Sequence, residues 1–388
     1  MNIGYLVETP ITKEKKMYGA QISFVNLLRE LKEYGVNPFV VVSEEWEITD
    51  RLREFGVEIL VTPIYEFFTS VDGAYGEYHD SAIQERQNAI SQKLIQDFFE
   101  KNNVELVHMN TRFCGLLGAK VAREMHIPYI YHIREFLEAD FGLVFKDEDL
   151  ANELIGNSTI LIAISKSISN YLRDLYPNTK IELIYNGINV NKYACPKCNR
   201  FRNDVVKAAI VGRVISHKGQ LDAIKAIETL VGKTDKKVEL LVVGIRPDEM
   251  TDFEKMLVEY VDGKGLNDVV KFIPFTDKVE EILKTCDIGL MCSKREAFGR
   301  VTVEYMLSNL LVIGSDSGGT PEIITNKETG LLYKEGDYIS LAKEILWAVT
   351  HIDISNNIIS AGYDKAISCY SSVANAKKIY DAYREILG

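Results

Sequence analysis

Residues 294–304 read Lys294-Arg-Glu-Ala-Phe-Gly-Arg-Val-Thr-Val-Glu304, and the interpretation of the whole chain starts from them. They follow Ile288-Gly-Leu-Met291, a short apolar run that predicts a buried parallel strand. Residues 301–307 mix apolar and polar side chains as a helix packed on a sheet does. Strand, loop and helix therefore succeed one another here, with Gly299 at the point where the helix begins.

Two glutamates, Glu296 and Glu304, flank that junction, and we expect the first in the loop and the second about one turn inside the helix. Because Gly299 has no Cβ, a ligand can come close to the main chain there. The amides from Arg300 to Val303 are the donors that a helix N-terminus offers to an anion. If the phosphates of a ligand lay over the helix end, one half of the ligand would contact Glu296 and the other half would contact Glu304.

The surroundings of the two glutamates resemble the Glu-x7-Glu signature of the family-4 retaining glycosyltransferases, which have the GT-B fold. The spacing by itself is a weak signal, but the order of elements across residues 293–332 is specific. The matching elements are Ser293-x-x-Glu296-Ala-Phe298-Gly299-x4-Glu304, Gly318-Gly319-Thr320-Pro321-Glu322 and Thr329-Gly330-Leu331-Leu332.

Length and composition narrow the class of protein. A chain of 388 residues suggests two domains, and a net charge of −11 argues against a nucleic-acid binder. Six cysteines in a chain this long do not make a secreted disulfide framework, and Cys195-x-x-Cys198 has no second pair with which to hold zinc. The chain opens into a strand without a signal peptide, and no segment reaches the ~18 apolar residues of a spanning helix. We expect a cytoplasmic protein, with peripheral contact at the inner face of the membrane left open.

Strand and helix patterns alternate through both halves, which predicts parallel, doubly wound sheets. Predicted strands include residues 38–42, 106–108, 129–132, 160–164 and 206–211. Together with the resemblance, this predicts an α/β fold of the GT-B type, two Rossmann-like domains that face a central cleft. The expected domains are an acceptor-binding domain over 1–190, a linker over 191–204, a nucleotide-sugar-binding domain over 205–370, and a C-terminal helix over 371–388 that crosses back to the first domain.

In the first half, the resemblance singles out residues at strand ends, where ligands of parallel sheets gather. Gly19 lies where the family has a glycine loop, although a helix-entry glycine is the alternative. His132 matches a histidine that faces the donor sugar, although a strand-end histidine is often structural. Arg134 and Glu135 either bind the acceptor or brace their loop, and Lys16 either attracts a phosphorylated acceptor or is solvated.

In the second half, Gly212-Arg213-x4-Lys218-Gly219 resembles the family's Gly-Arg-x4-Lys-Gly element. Two fixed cations at a strand end can clamp a diphosphate, and arginine does so with a fork of donors. The resemblance also places Phe275 beside the nucleotide base. The catalytic candidates are His132, Glu296, Arg213 and Lys218. The donor-binding candidates are Gly19, Arg213, Lys218, Phe275, Glu296, Ala297, Phe298, Gly299, Arg300, Val301, Thr302 and Glu304.

No metal and no other cofactor is expected, because the two cations would take the place of a metal at the leaving phosphate. Asp147-Glu-Asp149 is superficially like a metal-binding Asp-x-Asp, but it lies in a charged, helical pattern and we interpret it as a solvated face.

The resemblance therefore implies a metal-independent, retaining glycosyltransferase of the hexosyltransferase type. Its donor would be a UDP- or GDP-sugar and its acceptor a glycan or a lipid-linked glycan, in bacterial surface or capsular polysaccharide synthesis. The alternatives are a nucleotide-sugar epimerase of GT-B architecture and a non-catalytic sugar-nucleotide-binding protein. A dinucleotide dehydrogenase is disfavoured, since no Gly-x-Gly-x-x-Gly follows the first strand.

Overall fold

The protein was analysed as a computed structural model, which describes residues 1–7, 17–65, 67–71, 81–113, 115–195 and 199–388. The chain divides into two compact units, Met1–Gly187 together with Ser372–Gly388, and Ile188–Ser371. Each unit is built on one parallel sheet.

The first unit carries a seven-stranded parallel sheet of order β3-β2-β1-β5-β6-β8-β9 and a small antiparallel pair, β4-β7. Its strands are β1 Asn2–Leu6, β2 Asn37–Val42, β3 Glu58–Val61, β4 Phe68–Ser70, β5 Leu106–Met109, β6 Tyr129–Ile133, β7 Leu143–Phe145, β8 Ile160–Ala163 and β9 Ile181–Leu183. Its helices before Gly187 are α1 Gly19–Glu33, α2 Glu47–Arg53, α3 Ser81–Lys101, α4 Gly115–Glu124, α5 Leu137–Phe141, α6 Glu148–Gly156 and α7 Lys166–Leu175.

The central strands of this sheet are buried along their whole length because helices cover both faces. All residues of β5, β6 and β8 are buried. Helix α6 begins at Glu148 because the Asp147 carboxylate accepts a hydrogen bond from the Leu150 amide at 2.9 Å, so Asp147 serves as its N-cap.

The second unit carries a six-stranded parallel sheet of order β12-β11-β10-β13-β14-β15. Its strands are β10 Val205–Val211, β11 Lys237–Ile245, β12 Val270–Pro274, β13 Ile288–Met291, β14 Leu311–Ser315 and β15 Leu331–Tyr333. Its helices are α8 Val190–Tyr193, α9 Gln220–Leu230, α10 Asp252–Gly263, α11 Val279–Leu283, α12 Arg300–Leu307, α13 Thr320–Ile323, α14 Tyr338–Thr350 and α15 Ile352–Tyr370, with short 3-10 turns at Ser216–Lys218 and Pro247–Glu249.

Strand order brings two distant loops of the second unit together. Strand β10 pairs in parallel with both β11 and β13, so the loops after β10 and β13 leave the sheet at the same edge. The predicted strand at Ile288–Met291 is confirmed.

The last helix, α16 Ser372–Leu387, belongs to the first unit although it follows the second in sequence. Its buried face, Ala376, Ile379 and Tyr383, joins the core formed by β1, β2 and α1. Across the described ranges, every helix is too short or too polar to span a bilayer.

The stretch predicted as a linker, 191–204, lies within the second unit, which begins at Ile188. The Arg200 guanidinium donates to the Ser308 and Asn309 carbonyls at 2.8 and 2.9 Å, and the Phe201 ring is buried in the core of the unit. The polar composition of this stretch thus reflects contacts with the end of α12. Cys195 is a free cysteine, and Cys198 lies outside the described residues.

Candidate functional site

The loops that follow β10 and β13 are joined directly at the edge of the second sheet. The Lys294 amide donates to the His217 carbonyl at 2.8 Å. The Lys218 ammonium donates to Oε2 of Glu296 at 2.7 Å, and their side chains are 26% and 18% exposed. The structure therefore brings together the lysine and the glutamate that the sequence selected separately, and a ligand can still reach both.

The environment holds Glu296 in its charged form. Burial by itself would raise the pKa of this carboxyl, but the Lys218 ammonium and hydrogen bonds from Lys218 and Ser293 outweigh it and keep the pKa below its ordinary value. Burial and the charges of Lys218 and Arg213 lower the pKa of His217 in the same loop. The cluster therefore offers one fixed carboxylate among positive groups.

Gly299 is where the backbone turns into α12, and its φ of +91° favours glycine. A Cβ at this position would lie 3.2 Å from Oγ1 of Thr302 and 3.4 Å from Cγ of Glu296. The Thr302 amide donates to the Gly299 carbonyl at 3.0 Å. The expectation that every amide from Arg300 to Val303 is open to an anion is therefore wrong for Thr302, because a local turn already uses that donor.

The Gly318-Gly319 loop supports the backbone of Glu296. The Gly319 amide donates to the Glu296 carbonyl at 2.6 Å, and the Ser317 hydroxyl accepts from the Arg295 amide at 3.0 Å. A Cβ on Gly318 would lie 2.4 Å from the same Glu296 carbonyl oxygen, and φ at Gly318 is +59°. The loop at Gly318-Gly319, which the sequence comparison matched separately, thus holds the backbone of Glu296 in place.

Glu304 faces inward from α12 and meets a different set of partners. The Arg300 guanidinium lies 3.4 Å from its carboxylate, one turn back on the helix, and Tyr193 hydrogen-bonds to it. Burial raises the pKa of Glu304, although Arg300, Lys192 and the Tyr193 bond oppose the rise. Tyr193 was missed by the sequence reasoning because it lies in the stretch interpreted as a linker.

The remaining donor-binding candidates are spread around the same sheet edge. Arg213 is exposed, directly after Gly212 at the end of β10. Phe275 follows β12, is 47% exposed, and has the Arg246 guanidinium 5.9 Å from the centre of its ring. Phe298 is buried and packs edge-on against Tyr370, a contact that anchors the loop, and its part in donor binding stays a prediction. Ala297 and Val301 are partly buried beside it.

In the first unit, His132 is the last residue but one of β6, and its side chain is completely buried. Its ring stacks on His108 at a centroid distance of 5.4 Å, and its Nδ1 lies 3.2 Å from Nη2 of Arg134. Burial, the Arg134 guanidinium and the His108 ring all lower the pKa of His132 well below its ordinary value. His132 is therefore neutral at physiological pH.

Arg134 and Glu135 are engaged in a buried network rather than directed to solvent. Arg134 also donates from Nε to the Asn110 carbonyl and Oδ1 at 3.1 and 3.2 Å. Glu135 accepts from Nε of Arg112 at 3.2 Å, with the two side chains 6% and 2% exposed. These contacts favour the bracing role over acceptor binding, which stays a prediction.

The other first-unit candidates are Gly19 and Lys16. Gly19 is the first residue of α1, which fits the helix-entry alternative, and Lys16 lies outside the described residues. Arg112 and Asn110 were missed by the sequence reasoning. Their position directly after β5 was the signal available, because that strand end shares an edge with those of β1 and β6.

Comparison with known proteins matches two family models to the two halves of the chain. Residues 17–192 match "Glycosyltransferase Family 4" and residues 196–365 match "Glycosyl transferases group 1". The Bacillus anthracis N-acetyl-alpha-D-glucosaminyl L-malate synthase is 23% identical over 303 residues, 74% of this chain and 76% of that protein. The Staphylococcus aureus capsular polysaccharide biosynthesis glycosyltransferase CapM is 24% identical over 304 residues, 74% of this chain and 79% of that protein.

Among solved structures, Anabaena Alr3699/HepE in complex with UDP superposes with a TM-score of 0.80 at 20% identity, covering 99% of this chain and 100% of that chain. With the two parallel sheets, this likeness establishes the GT-B fold. The chain belongs to the family-4 glycosyltransferases and is a glycosyltransferase with the GT-B fold.

Proposed function

We propose that this glycosyltransferase moves a hexose from a nucleotide-diphosphate sugar to a glycan or lipid-linked glycan with retention of configuration and without a metal. The donor would be bound by the second unit. The observation that carries the proposal is the partly exposed Lys218–Glu296 pair, 2.7 Å apart at the carboxyl ends of β10 and β13. In this pair, the Lys218 ammonium would bind a phosphate of the donor and the Glu296 carboxylate would accept hydrogen bonds from the sugar hydroxyls.

The difficult step is departure of the nucleotide diphosphate as the sugar carbon gains positive character. Positive groups fixed beside the leaving phosphate stabilise that transition state. Lys218 and Arg213 supply such groups in the loop after β10, and the Val301 amide at the start of α12 is a third candidate donor. Glu296 would hold hydroxyls of the sugar, and Glu304, deeper in α12, would accept from the ribose hydroxyls.

The relatives support the donor class and the setting. Alr3699/HepE was crystallised with UDP and also with UDP-glucose, and CapM is named for capsular polysaccharide biosynthesis. We therefore propose UDP- or GDP-sugars as donors and bacterial surface polysaccharide synthesis as the setting. Peripheral contact with the inner face of a membrane belongs to the same proposal, because a lipid-linked acceptor is held at a membrane.

Substitution of each glutamate tests this division of roles. Glu304→Ala should weaken binding of the nucleotide diphosphate about ten- to a hundredfold, since charged hydrogen bonds of ~1.5–3 kcal/mol are lost. Glu296→Ala should bind the diphosphate as well as before, because Lys218 stays and loses a competing partner. Its turnover should collapse, since its sugar contacts tighten in the transition state.

Calorimetry with UDP and with GDP, set beside turnover with the matching sugar donors, separates the two effects. Glu328→Ala, which removes an exposed carboxylate of the same unit, is the matched control and should change neither quantity. If Glu296→Ala weakens diphosphate binding tenfold and turns over normally, the roles are reversed. If neither glutamate affects binding or rate, the proposed donor site is refuted.

A further inference from the structure

The orientation of the His132 ring is set by one hydrogen bond to an arginine. Nη2 of Arg134 lies 3.2 Å from Nδ1 of His132, and both side chains are buried. A guanidinium has five N–H donors and no acceptor. Nδ1 must therefore be the acceptor, which means that it carries no proton. The single proton of the neutral ring is then on Nε2.

Arg134 is itself held by residues that follow two other strands of the same sheet. Its Nε donates to the Asn110 carbonyl and Oδ1 at 3.1 and 3.2 Å, after β5. Its Nη1 donates to Oδ1 of Asn186, in the turn after β9. Because three of its donors are engaged at fixed positions, the guanidinium cannot rotate to release Nδ1 without breaking buried hydrogen bonds.

The other groups around His132 also favour the neutral ring. His108, from β5, stacks on it, and Nδ1 of His108 lies 2.5 Å from the hydroxyl of Tyr383 in α16. That hydroxyl is 3.0 Å from the hydroxyl of Tyr5 in β1. Glu135, next in sequence to Arg134, is paired with Arg112. The nearest fixed charge is therefore the positive one of Arg134, which opposes a second proton on His132.

Nε2 of His132 is buried and has no hydrogen-bond partner among the described residues. Buried N–H donors without an acceptor are uncommon in folded proteins and ask for an explanation. A ligand oxygen that accepts this hydrogen bond provides one, because β6 ends at the sheet edge where the ligands of parallel sheets bind.

We propose that Arg134 is a positioning residue that holds His132 as the neutral tautomer protonated on Nε2, so that His132 donates a hydrogen bond to an oxygen of the sugar substrate and does not act as a base. The nature of that substrate rests on the proposed function. The tautomer itself does not, since it is a property of the free protein.

Nitrogen-15 NMR of the full chain labelled at histidine tests the tautomer directly. The His132 signals are assigned by their loss in His132→Gln. We expect Nε2 with the shift of a protonated nitrogen and Nδ1 with that of an unprotonated one, unchanged between about pH 5 and 8. A proton on Nδ1, or a ring that titrates in this range, overturns the proposal even if no Arg134 variant folds.

Variants then test whether Arg134 is the cause. Arg134→Met should give a mixture of both tautomers and lower kcat about tenfold, the loss of one well-directed hydrogen bond. Arg134→Lys keeps a donor and should restore the Nε2–H form and most of the rate. Arg112→Met is the matched control for removing a buried guanidinium, because Arg112 pairs with Glu135, and it should leave the His132 tautomer unchanged.

Three results distinguish failure of this inference from failure of the proposed function. If Arg134→Met leaves the tautomer as it was, the positioning role is refuted whatever the chain transfers. If Arg134→Met instead raises KM for the acceptor and leaves the tautomer alone, Arg134 binds acceptor directly, which also refutes it. If the tautomer depends on Arg134 and no nucleotide sugar is turned over, the proposed function alone has failed.

Discussion

At the scale of single residues, Glu296 and Glu304 have opposite electrostatic environments. The Lys218 ammonium, 2.7 Å from Glu296, overcomes the effect of burial and lowers the pKa of that carboxyl. For Glu304, burial dominates over Arg300 at 3.4 Å and raises the pKa. Glu296 therefore stays ionised to lower pH than Glu304. We expect the rate of transfer to fall when Glu296 becomes protonated.

The Lys218 charge can be removed to test this dependence. In Lys218→Met, burial of Glu296 is no longer opposed by the ammonium, so the pKa of Glu296 should rise. The carboxylate is then protonated at a higher pH, and the acidic limb of the kcat profile should move to higher pH. The overall rate should also fall, because a phosphate contact is lost. The measurement is kcat against pH for both proteins at saturating donor.

Lys294→Met is the control for this experiment, since Lys294 is an exposed lysine in the loop that carries Glu296. Its acidic limb should coincide with that of the unmodified protein. An acidic limb that does not move in Lys218→Met would show that Lys218 does not set the ionisation of Glu296.

At the scale of elements, the loop of Ser317, Gly318 and Gly319 acts as a support for the loop between β13 and α12. Gly318→Ala places a Cβ 2.4 Å from the Glu296 carbonyl at a φ of +59°. The Glu296 backbone must move, and a shift of about 1 Å at a reacting group costs on the order of a hundredfold in rate. We expect that loss in kcat, together with lower stability in urea denaturation.

Gly336→Ala is the matched control, because Gly336 has a φ of +72° but a Cβ there meets no described atom within 4 Å. It should cost roughly 1–2 kcal/mol of stability from the backbone conformation and leave kcat unchanged. Equal rates for the two variants would mean that the support loop does not position Glu296.

At the scale of the whole molecule, the chain is acidic and the proposed donor is an anion. The net charge is −11, so attraction for a nucleotide diphosphate has to be local. In the proposed site, Arg213 and Lys218 would provide it in one loop, because such groups stabilise a leaving phosphate as a metal would. We therefore predict full transfer activity in the presence of EDTA, measured against a parallel reaction supplied with Mg²⁺. Loss of activity in EDTA that Mg²⁺ or Mn²⁺ restores would disprove the metal-free mechanism.

The sequence by itself determined many of the elements, and it supplied much of the proposed donor site. Apolar runs and helical periodicity are local properties, so β13, the Gly299 turn and α12 follow from residues 288–307 alone. The resemblance added Arg213 and Lys218, because spacing within one loop is also visible locally. All of these features can be predicted from residues that are close together in the sequence.

The tertiary structure decided which partners the buried polar groups meet. Tyr383 reaches His108 across 275 residues, and Arg200 reaches the Ser308 carbonyl across 108, so a stretch that looked like a linker became part of the second unit. The opposite pKa shifts of Glu296 and Glu304 arise in the same way, and so do the bonds to Asn110 and Asn186 that fix Arg134 beside His132. Burial and charge act through space, and strand order rather than sequence distance sets which side chains are close.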